Sequence, residues 1–303
     1  MTLQFIGPEA AAHLDWLALA RALEDGHLRP RGDIRDSFLY RGDDTVLSRA
    51  AWIDGLGIAV KTALLFPGNL DRGLPNMSGI VTLFDDATGQ PSAILDFMLV
   101  TKWKTAADSL LAALKLAPPG VETILLVGAG RVSASMIEAY SAGFPDAKFE
   151  IWNRSPGRAE AMTSDRVTPV RDLAEAVGRA DIVATATMST NPVIRGDWIT
   201  PGTHLDLIGA YRSDMREVDD AAISKAALFV DSRETTLAHI GEMLIPIGDG
   251  VISEQDVRAD FYDIASGAFT RPSPEAITIA KNGGGAHLDL MTAHYIRDAV
   301  PAT

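Results

Sequence analysis

The sequence predicts an α/β protein in which a Rossmann-type, doubly wound parallel sheet is joined to a second α/β domain. An apolar run over 123–127 ends in Gly128-Ala129-Gly130 and is followed by a helical pattern over 132–143. Strands and helices then alternate, as in parallel sheets with helical crossovers. Before residue 118 the pattern differs, because apolar strand-like runs follow one another with turn residues between them.

The N-terminal region is predicted to contain two helices and four strands. Leu14, Leu17 and Leu23 share one stripe and predict an amphipathic helix over 9–24. A later helix ends before Pro118-Pro119-Gly120, which we interpret as the linker between domains. The predicted strands cover 36–48, 56–66, 79–85 and 91–96, and the later helix covers 99–116.

The alternating elements from residue 121 onward define the predicted Rossmann domain. We place this domain at 118–283 and the second domain at 1–117 plus 284–303, because the last helix can pack back on the first domain. The predicted strands are 123–127, 148–152, 181–186, 204–208 and 227–230, and the predicted helices are 132–143, 156–163, 171–178 and about 285–299.

Composition limits the possible partners and location. The 303 residues suit two domains, and a net charge of −13 makes nucleic acid and anionic membrane surfaces poor partners. There is no cysteine, so disulfides and thiolate chemistry are excluded, and the six histidines lack metal-ligand spacing, so no metal is expected. We see neither a signal peptide nor an apolar span, and we expect a cytoplasmic protein.

The Gly-x-Gly turn predicts a dinucleotide site, because backbone N–H groups at a helix N-terminus bind a pyrophosphate. Ser133 stands where a third Gly or Ala is usual, and a tight turn without a ligand is the alternative. Asn153 ends the second strand without the carboxylate that would repel a 2′-phosphate, and Arg154 and Arg158 can bind one. NADPH is therefore favoured over NADH, although Asn153 can also bond a ribose hydroxyl.

Three lysines and a glycine-rich segment can be either structural or part of a ligand site. Lys61 interrupts an apolar strand and lies either on an exposed face or against an anion. Lys102 and Lys104 precede Thr105 at a predicted helix start, where cations are unfavourable unless an anionic ligand is bound. The glycine-rich segment 281–287 makes a close approach either to a ligand or to another helix.

The order of these motifs resembles the ornithine cyclodeaminase/mu-crystallin family over nearly the full length. It is carried by the segments Val60-Lys61, Phe66-Pro67-Gly68-Asn69, Gly73-Leu74-Pro75, Leu83-Phe84-Asp85, Thr101-Lys102-Trp103-Lys104-Thr105, Gly128-Ala129-Gly130, Ala180-Asp181-Ile182-Val183, Pro201-Gly202-Thr203-His204 and Ile208-Gly209-Ala210. The resemblance implies a homodimer formed through the second domain, an active site between the domains, and a nicotinamide cofactor used on α-amino or α-imino acids.

The resemblance also implies roles for individual residues. Lys61 matches the family's active-site lysine, and Lys104 stands where the family usually has an arginine for the substrate carboxylate. Arg35, Arg41 and Arg49 compete for a second substrate-binding arginine, and we take Arg49 as the candidate. The residues predicted to bind the cofactor are Thr105, Gly128, Gly130, Arg131, Val132, Asn153, Arg154, Arg158, Thr187, Met188, Ile208, Gly209, Lys281 and Gly284.

One departure from the family pattern directs the predicted reaction. Tyr211 stands where the cyclodeaminase has its catalytic aspartate, so ornithine cyclisation lacks its general base. We therefore predict an NAD(P)H-dependent reductase of a small α-imino acid such as Δ1-pyrroline-2-carboxylate, iminosuccinate or another ketimine. The alternatives are an amino-acid dehydrogenase of the alanine dehydrogenase type and a non-catalytic protein that binds NADP and a small ligand.

Overall fold

The computed structural model describes residues 3–301 and divides the chain into two units. The first unit runs to Lys104 and resumes at Gly285, and the second covers Thr105–Gly284. The change from one unit to the other lies inside a continuous helix, whereas the sequence places it at Pro118-Pro119-Gly120. The outer limits of the predicted domains, at residues 1 and 303, lie outside the described residues.

The first unit is built on a mixed six-stranded sheet. Its order is β1-β6-β5-β4-β3-β2, and every pair is antiparallel except β1 with β6. Alternate residues of β4 are buried, as expected for a sheet with one face on a core. The strands are β1 (Gln4–Ile6), β2 (Asp33–Arg41), β3 (Asp44–Ile53), β4 (Gly57–Leu65), β5 (Met77–Phe84) and β6 (Pro91–Asp96).

Helices α1 (Trp16–His27) and α9 (Ala286–Ala299) complete this unit, and α9 packs on β3 and β4. The two helices approach closely at Gly26, where a Cβ would lie 2.5 Å from the Sδ of Met291. The helix α2 (Phe97–Leu116) begins in this unit and continues into the second. Short 3₁₀ helices cover Pro8–His13 and Pro67–Arg72.

The second unit is built on an eight-stranded parallel sheet of order β13-β12-β14-β11-β10-β7-β8-β9. Its central strands are buried along their whole length, because helices cover both faces. The strands are β7 (Thr123–Val127), β8 (Lys148–Trp152), β9 (Val167–Pro169), β10 (Ile182–Thr185), β11 (His204–Leu207), β12 (Ala227–Val230), β13 (Val257–Ala259) and β14 (Thr278–Lys281).

The helices of the second unit connect these strands. The α-helices are α3 (Arg131–Gly143), α4 (Pro156–Glu160), α5 (Leu173–Arg179), α6 (Asp220–Lys225), α7 (Arg233–Thr236) and α8 (Gly241–Gly248). The 3₁₀ helices are Gly196–Trp198, Glu254–Asp256 and Phe261–Ser266. No helix among residues 3–301 is long and apolar enough to cross a membrane.

Three details of the N-terminal half differ from the sequence prediction. The first α-helix begins at Trp16, because the Asp15 side chain accepts a hydrogen bond from the Ala18 N–H at 2.7 Å. The predicted strand 36–48 is a hairpin, since Arg41 pairs with Asp44 across a two-residue turn and Gly42 adopts φ +57°. Finally, α2 begins at Phe97, so Lys102 and Lys104 lie in its second turn and not at its start.

Candidate active site

The Gly-x-Gly turn of the second unit borders a cavity of about 410 Å³. The cavity lies past the carboxyl ends of β7, β8 and β10, where the chain continues to β8 on one side of β7 and β10 lies on the other. Clefts at such points of reversal bind ligands in open α/β sheets. The lining residues are Gly128, Ala129, Gly130, Trp152, Asn153, Arg154, Ser155, Arg158, Ala186, Thr187, Met188, Ser189 and Val193.

The two glycines of the turn serve different purposes. Gly128 adopts φ +118°, and a Cβ there would lie 2.6 Å from the carbonyl oxygen of Ala186. Gly130 precedes α3, and a Cβ there would meet nothing within 4 Å. The space above Gly130 and the helix N-terminus is therefore open and fits a dinucleotide pyrophosphate. Ser133 does not face this space, because it is buried and its hydroxyl donates to the Gly128 carbonyl at 2.8 Å.

The second-strand residues present uncompensated positive charge at the cavity. Arg154 and Arg158 are exposed, and neither side chain forms a hydrogen bond or ion pair with residues 3–301. The Asn153 amide donates to the Ser155 carbonyl at 2.9 Å, which fixes the bend after β8. The structure therefore brings together the three residues that the sequence assigns to the 2′-position of the cofactor.

Glu217 organises the opposite wall, and sequence reasoning missed it. Its carboxylate is buried and accepts hydrogen bonds from the N–H and hydroxyl of Thr187, from the hydroxyl of Thr185, and from the N–H groups of Gly209 and Ala210. A Cβ on Gly209 would collide with Glu217 and with the Thr187 backbone. The predicted cofactor residues after β10 and β11 are thus held by one side chain.

Lys281 and Gly284 are placed differently from the cofactor role that the sequence predicts. Lys281 is fully buried, and its ammonium donates to the carbonyls of Leu207 and Asn282 at 2.8 Å each. Gly284 adopts φ +68° and donates its N–H to Asp231, as Gly283 does. These contacts make the glycine-rich segment a tight connection between β14 and α9, held by internal hydrogen bonds.

The remaining predicted cofactor residues lie next to the Gly-x-Gly turn, after the ends of other strands, and on α2. Arg131 and Val132 are exposed in the first turn of α3, and Met188 is exposed in the cavity wall. Ile208 is half-buried after β11, and Thr105 is half-buried on α2.

The first unit contains a cluster of buried charges on its sheet. Lys61 on β4 pairs in register with Arg49 on β3, and both side chains meet Asp289 of α9. The Lys61 ammonium donates to Asp289 Oδ1 at 2.8 Å, and the Arg49 guanidinium lies 4.0 Å from Oδ2. Arg49 also makes a two-point contact with Asp36, at 3.2 and 2.6 Å. Lys61 is therefore buried, and its negatively charged partner is the internal carboxylate of Asp289.

Lys104 adds a further cation to this cluster. It is only 8% exposed, yet its ammonium forms no hydrogen bond or ion pair with residues 3–301. The structure also separates the three competing arginines, because Arg35 donates to a neighbouring carbonyl and Arg41 forms an exposed pair with Asp44, whereas Arg49 joins the cluster.

The charges in the cluster act on one another. Burial lowers the pKa of Lys61 to about 8, while Asp289 acts to raise it. Burial acts to raise the pKa of Asp289, but Lys61, Lys104 and Arg49 outweigh it and hold that pKa below its usual range. Lys61 and Asp289 are therefore both charged near neutral pH. Such an arrangement can bind a carboxylate and donate a proton.

Asp289 is the second residue that sequence reasoning missed. An aspartate on an amphipathic helix usually faces water, and 228 residues separate it from Lys61. Tyr211, by contrast, is 57% exposed after the end of β11, so no carboxylate stands at that position.

A model of the ornithine cyclodeaminase/mu-crystallin family matches residues 53–303. The chain belongs to this family. The Delta(1)-pyrroline-2-carboxylate reductase of Paracoccus denitrificans (strain Pd 1222) is 49% identical over 296 residues, which cover 95% of this chain and 94% of that protein. Ketimine reductase mu-crystallin of Rattus norvegicus is 34% identical over 246 residues, covering 80% and 76%.

The fold of the family is also found among solved structures. An archaeal alanine dehydrogenase dimer with bound NAD has a TM-score of 0.89 and 26% identity, and the match covers 99% of this chain and 96% of that chain. The predicted family and fold class are confirmed by these similarities.

Proposed function

We propose that this protein is an NAD(P)H-dependent reductase of a small α-imino acid, with Δ1-pyrroline-2-carboxylate as its substrate. The observation that carries the proposal is the buried Lys104 ammonium, which forms no hydrogen bond or ion pair with residues 3–301 and has the Asp289 carboxylate, already paired with Lys61, as its nearby negative charge. A buried cation without a counter-ion is costly, and a substrate carboxylate removes that cost. The 49% identical relative named for this reaction supports the choice of substrate.

The charges in the cluster favour a single carboxylate. Lys61, Lys104 and Arg49 contribute three positive charges, and Asp289 and Asp36 contribute two negative ones. The excess of one positive charge matches a monocarboxylate such as pyrroline-2-carboxylate. A dicarboxylate such as iminosuccinate would leave one negative charge without a partner.

Each residue of the cluster has a distinct proposed task. Lys104 and Arg49 bind the carboxylate, and the Lys61 ammonium donates a proton to the imine nitrogen. NAD(P)H, when bound, supplies a hydride to the imine carbon. Protonation of the nitrogen by Lys61 makes the imine a better acceptor, because the positive charge is neutralised in the transition state. The amine product keeps that proton, and Lys61 regains one from water.

The cofactor is proposed to be a nicotinamide dinucleotide in the second-unit cavity, with NADPH preferred over NADH. Arg154 and Arg158 carry unpaired positive charge at the cavity, and Asn153 brings no negative charge. A 2′-phosphate would compensate these arginines through charge-assisted hydrogen bonds. Lys281 and Gly284 are left out of the proposed cofactor site, because their polar groups already have internal partners.

We further propose that the protein forms a homodimer through the hairpin of β2 and β3. β2 is an edge strand of nine residues, and Phe38, Leu39 and Tyr40 on it are 48%, 67% and 72% exposed. Adjacent residues of a strand point to opposite faces, so both faces of this edge are apolar. The structurally similar alanine dehydrogenase is a dimer, and a second copy is the partner that we propose.

The test is oxidation of NADPH or NADH in the presence of Δ1-pyrroline-2-carboxylate, with L-proline measured as the product. We expect L-proline in equal amount to the cofactor oxidised, and much slower reaction with iminosuccinate. Conversion of ornithine to proline and ammonia with NAD should be much slower than imine reduction, because Tyr211 supplies no carboxylate. Absence of reaction with every imino acid, from a protein that binds the cofactor, would contradict the proposal.

A further inference from the structure

Asp289 is an unusual group to find in the interior of this unit. It is fully buried on α9, and its Oδ1 accepts the hydrogen bond from Lys61. Its Oδ2 has no hydrogen-bond partner among residues 3–301, with Arg49 4.0 Å away. A buried carboxylate oxygen without a hydrogen bond destabilises the fold, so packing alone does not account for this side chain.

The charged groups around Lys61 come from α9, β3 and α2, whereas β5 places the apolar Val81 opposite Lys61. Asp289 approaches from α9, Arg49 from β3 and Lys104 from α2, and the Phe97 ring of α2 lies 4.8 Å from the ammonium. Asp289 is the carboxylate that acts on Lys61, whereas the negative charge of Asp36 is paired with Arg49. Burial and two cations therefore oppose the charge on Lys61, and one carboxylate supports it.

A further titratable group on α9 does not alter this balance. His287 is buried two residues before Asp289, and burial, with His27 and Lys104 nearby, holds its pKa well below the ordinary value. It is neutral at the pH values at which Lys61 titrates. Asp289 is thus the residue of this cluster that favours the charged form of Lys61, whereas Lys104 and Arg49 oppose it.

We propose that Asp289 is a positioning residue that keeps Lys61 protonated and directs its ammonium, so that Lys61 is the proton donor to the imine nitrogen. Asp289 acts through Lys61 and does not touch the substrate. This inference rests on the proposed function, because it assumes the role of Lys61 stated there. In the step it supports, an N–H bond of Lys61 breaks as an N–H bond forms on the substrate, and the hydride comes from NAD(P)H.

The expected effect of removing the carboxylate follows from the sign of its interaction. The pKa of Lys61 is about 8 with Asp289 in place. If Lys61 is the proton donor, activity should be lost as the pH rises through that value. A neighbouring opposite charge shifts a pKa by about one to three units. Without Asp289 the pKa of Lys61 falls, so the loss of activity should begin at lower pH.

The first experiment measures kcat/KM for imine reduction from pH 5.5 to 10 in the wild type and in Asp289→Asn. We expect the alkaline limb, near pH 8 in the wild type, to move down by at least about one unit, with activity at pH 5.5 within a few-fold of wild type. A purely structural role would lower the rate at all pH values and leave the limb in place, which would overturn the proposal.

A second experiment does not depend on catalysis. The ¹³Cε resonance of Lys61, assigned by its loss in Lys61→Met, is titrated in each variant. Its midpoint should fall in Asp289→Asn and rise in Lys104→Met, where a like charge is removed. Asp289→Ser, which is smaller and neutral, provides the same measurement if Asp289→Asn does not fold. If the midpoint of the Lys61 titration is unchanged in Asp289→Asn or Asp289→Ser, the inference is overturned. A shifted midpoint in a protein that reduces no imine refutes the proposed function instead.

Discussion

At the scale of single residues, the two units use buried charge in different ways. Glu217 in the second unit satisfies five donors and is fully compensated. The ammonium of Lys104 in the first unit is buried and forms no hydrogen bond or ion pair with residues 3–301. The hydrogen bonds of Glu217 fix a loop, whereas a buried charge such as that of Lys104 is typical of a site that binds a charged ligand.

Replacing Lys104 tests whether it binds the substrate carboxylate. We expect Lys104→Met to raise KM for the imino acid about 10- to 100-fold, because a charge-assisted hydrogen bond contributes roughly 1.5–3 kcal/mol. Lys102→Met is the matched control, since it removes the same charge from the same helix outside the cluster. Steady-state kinetics of both variants decide the matter, and equal effects of the two substitutions would argue against a specific role.

Replacing Lys61 tests the proton donor. Lys61→Met should lower kcat by about 10² to 10⁴, the usual contribution of a positioned acid or base, with cofactor affinity nearly intact. Titration of cofactor fluorescence checks the second part of this expectation. Near-wild-type turnover in a folded variant would be incompatible with the assigned role.

At the scale of elements, the bend after β8 is expected to select the cofactor. Arg154→Ala should remove most of the preference for NADPH, about 10- to 100-fold in kcat/KM, because it deletes one charge-assisted pair to the 2′-phosphate. Arg171→Ala is a suitable control, since Arg171 is exposed and pairs with Glu160 outside the cavity. A wild-type preference for NADH would show that Arg154 does not bind the 2′-phosphate of the cofactor.

Glu242, in the first turn of α8, should make stability depend on pH. Burial, and then the Glu217 carboxylate nearby, raises the pKa of Glu242 to about 7. An acid whose pKa is raised by folding stabilises the fold below its unfolded value near 4.5 and loses that contribution as the pH rises to 7. We expect the free energy of unfolding to fall by up to about 3 kcal/mol between pH 4.5 and 7.5.

Urea unfolding at pH 4.5 and at pH 7.5, followed by a signal from the second unit, measures this change in the free energy of unfolding. Glu242→Gln cannot ionise, so its stability should change less over the same interval, although it loses one of the two N–H contacts that Glu242 accepts from Glu217 and Val218. A pH dependence identical to the wild type would exclude Glu242 as the cause.

The elements differ in how well the sequence predicts them. β7, β8 and β12 match their predicted bounds: β7 and β12 are mostly apolar runs, and β8 alternates polar and apolar residues. β1, β9, β13 and β14 are absent from the prediction, because the first three have only three residues and β14 is polar at both ends. The candidate site divides in the same way. Lys61 interrupts an apolar strand, whereas Asp289 and Glu217 acquire their roles only from tertiary contacts.

At the scale of the whole molecule, the proposed dimer is open to a direct test. Leu39→Asp with Tyr40→Asp should convert the dimer to a monomer in sedimentation velocity, because both faces of the β2 edge lose apolar contact area. Leu70→Asp is a control, as Leu70 is 63% exposed on the 3₁₀ helix between β4 and β5 and belongs to neither β2 nor β3. A dimer that persists in the double variant would place the interface elsewhere.

The edges of the eight-stranded sheet bear on how the chain avoids misassembly. Both edge strands, β9 and β13, are only three residues long, and β9 ends in Pro169, which has no N–H to offer a further strand. Short edges interrupted by proline are poor templates for intermolecular strand addition. A nascent or heated chain therefore presents few sites at which this sheet could seed aggregates, and the long apolar edge of β2 becomes the point of greatest risk until it is covered.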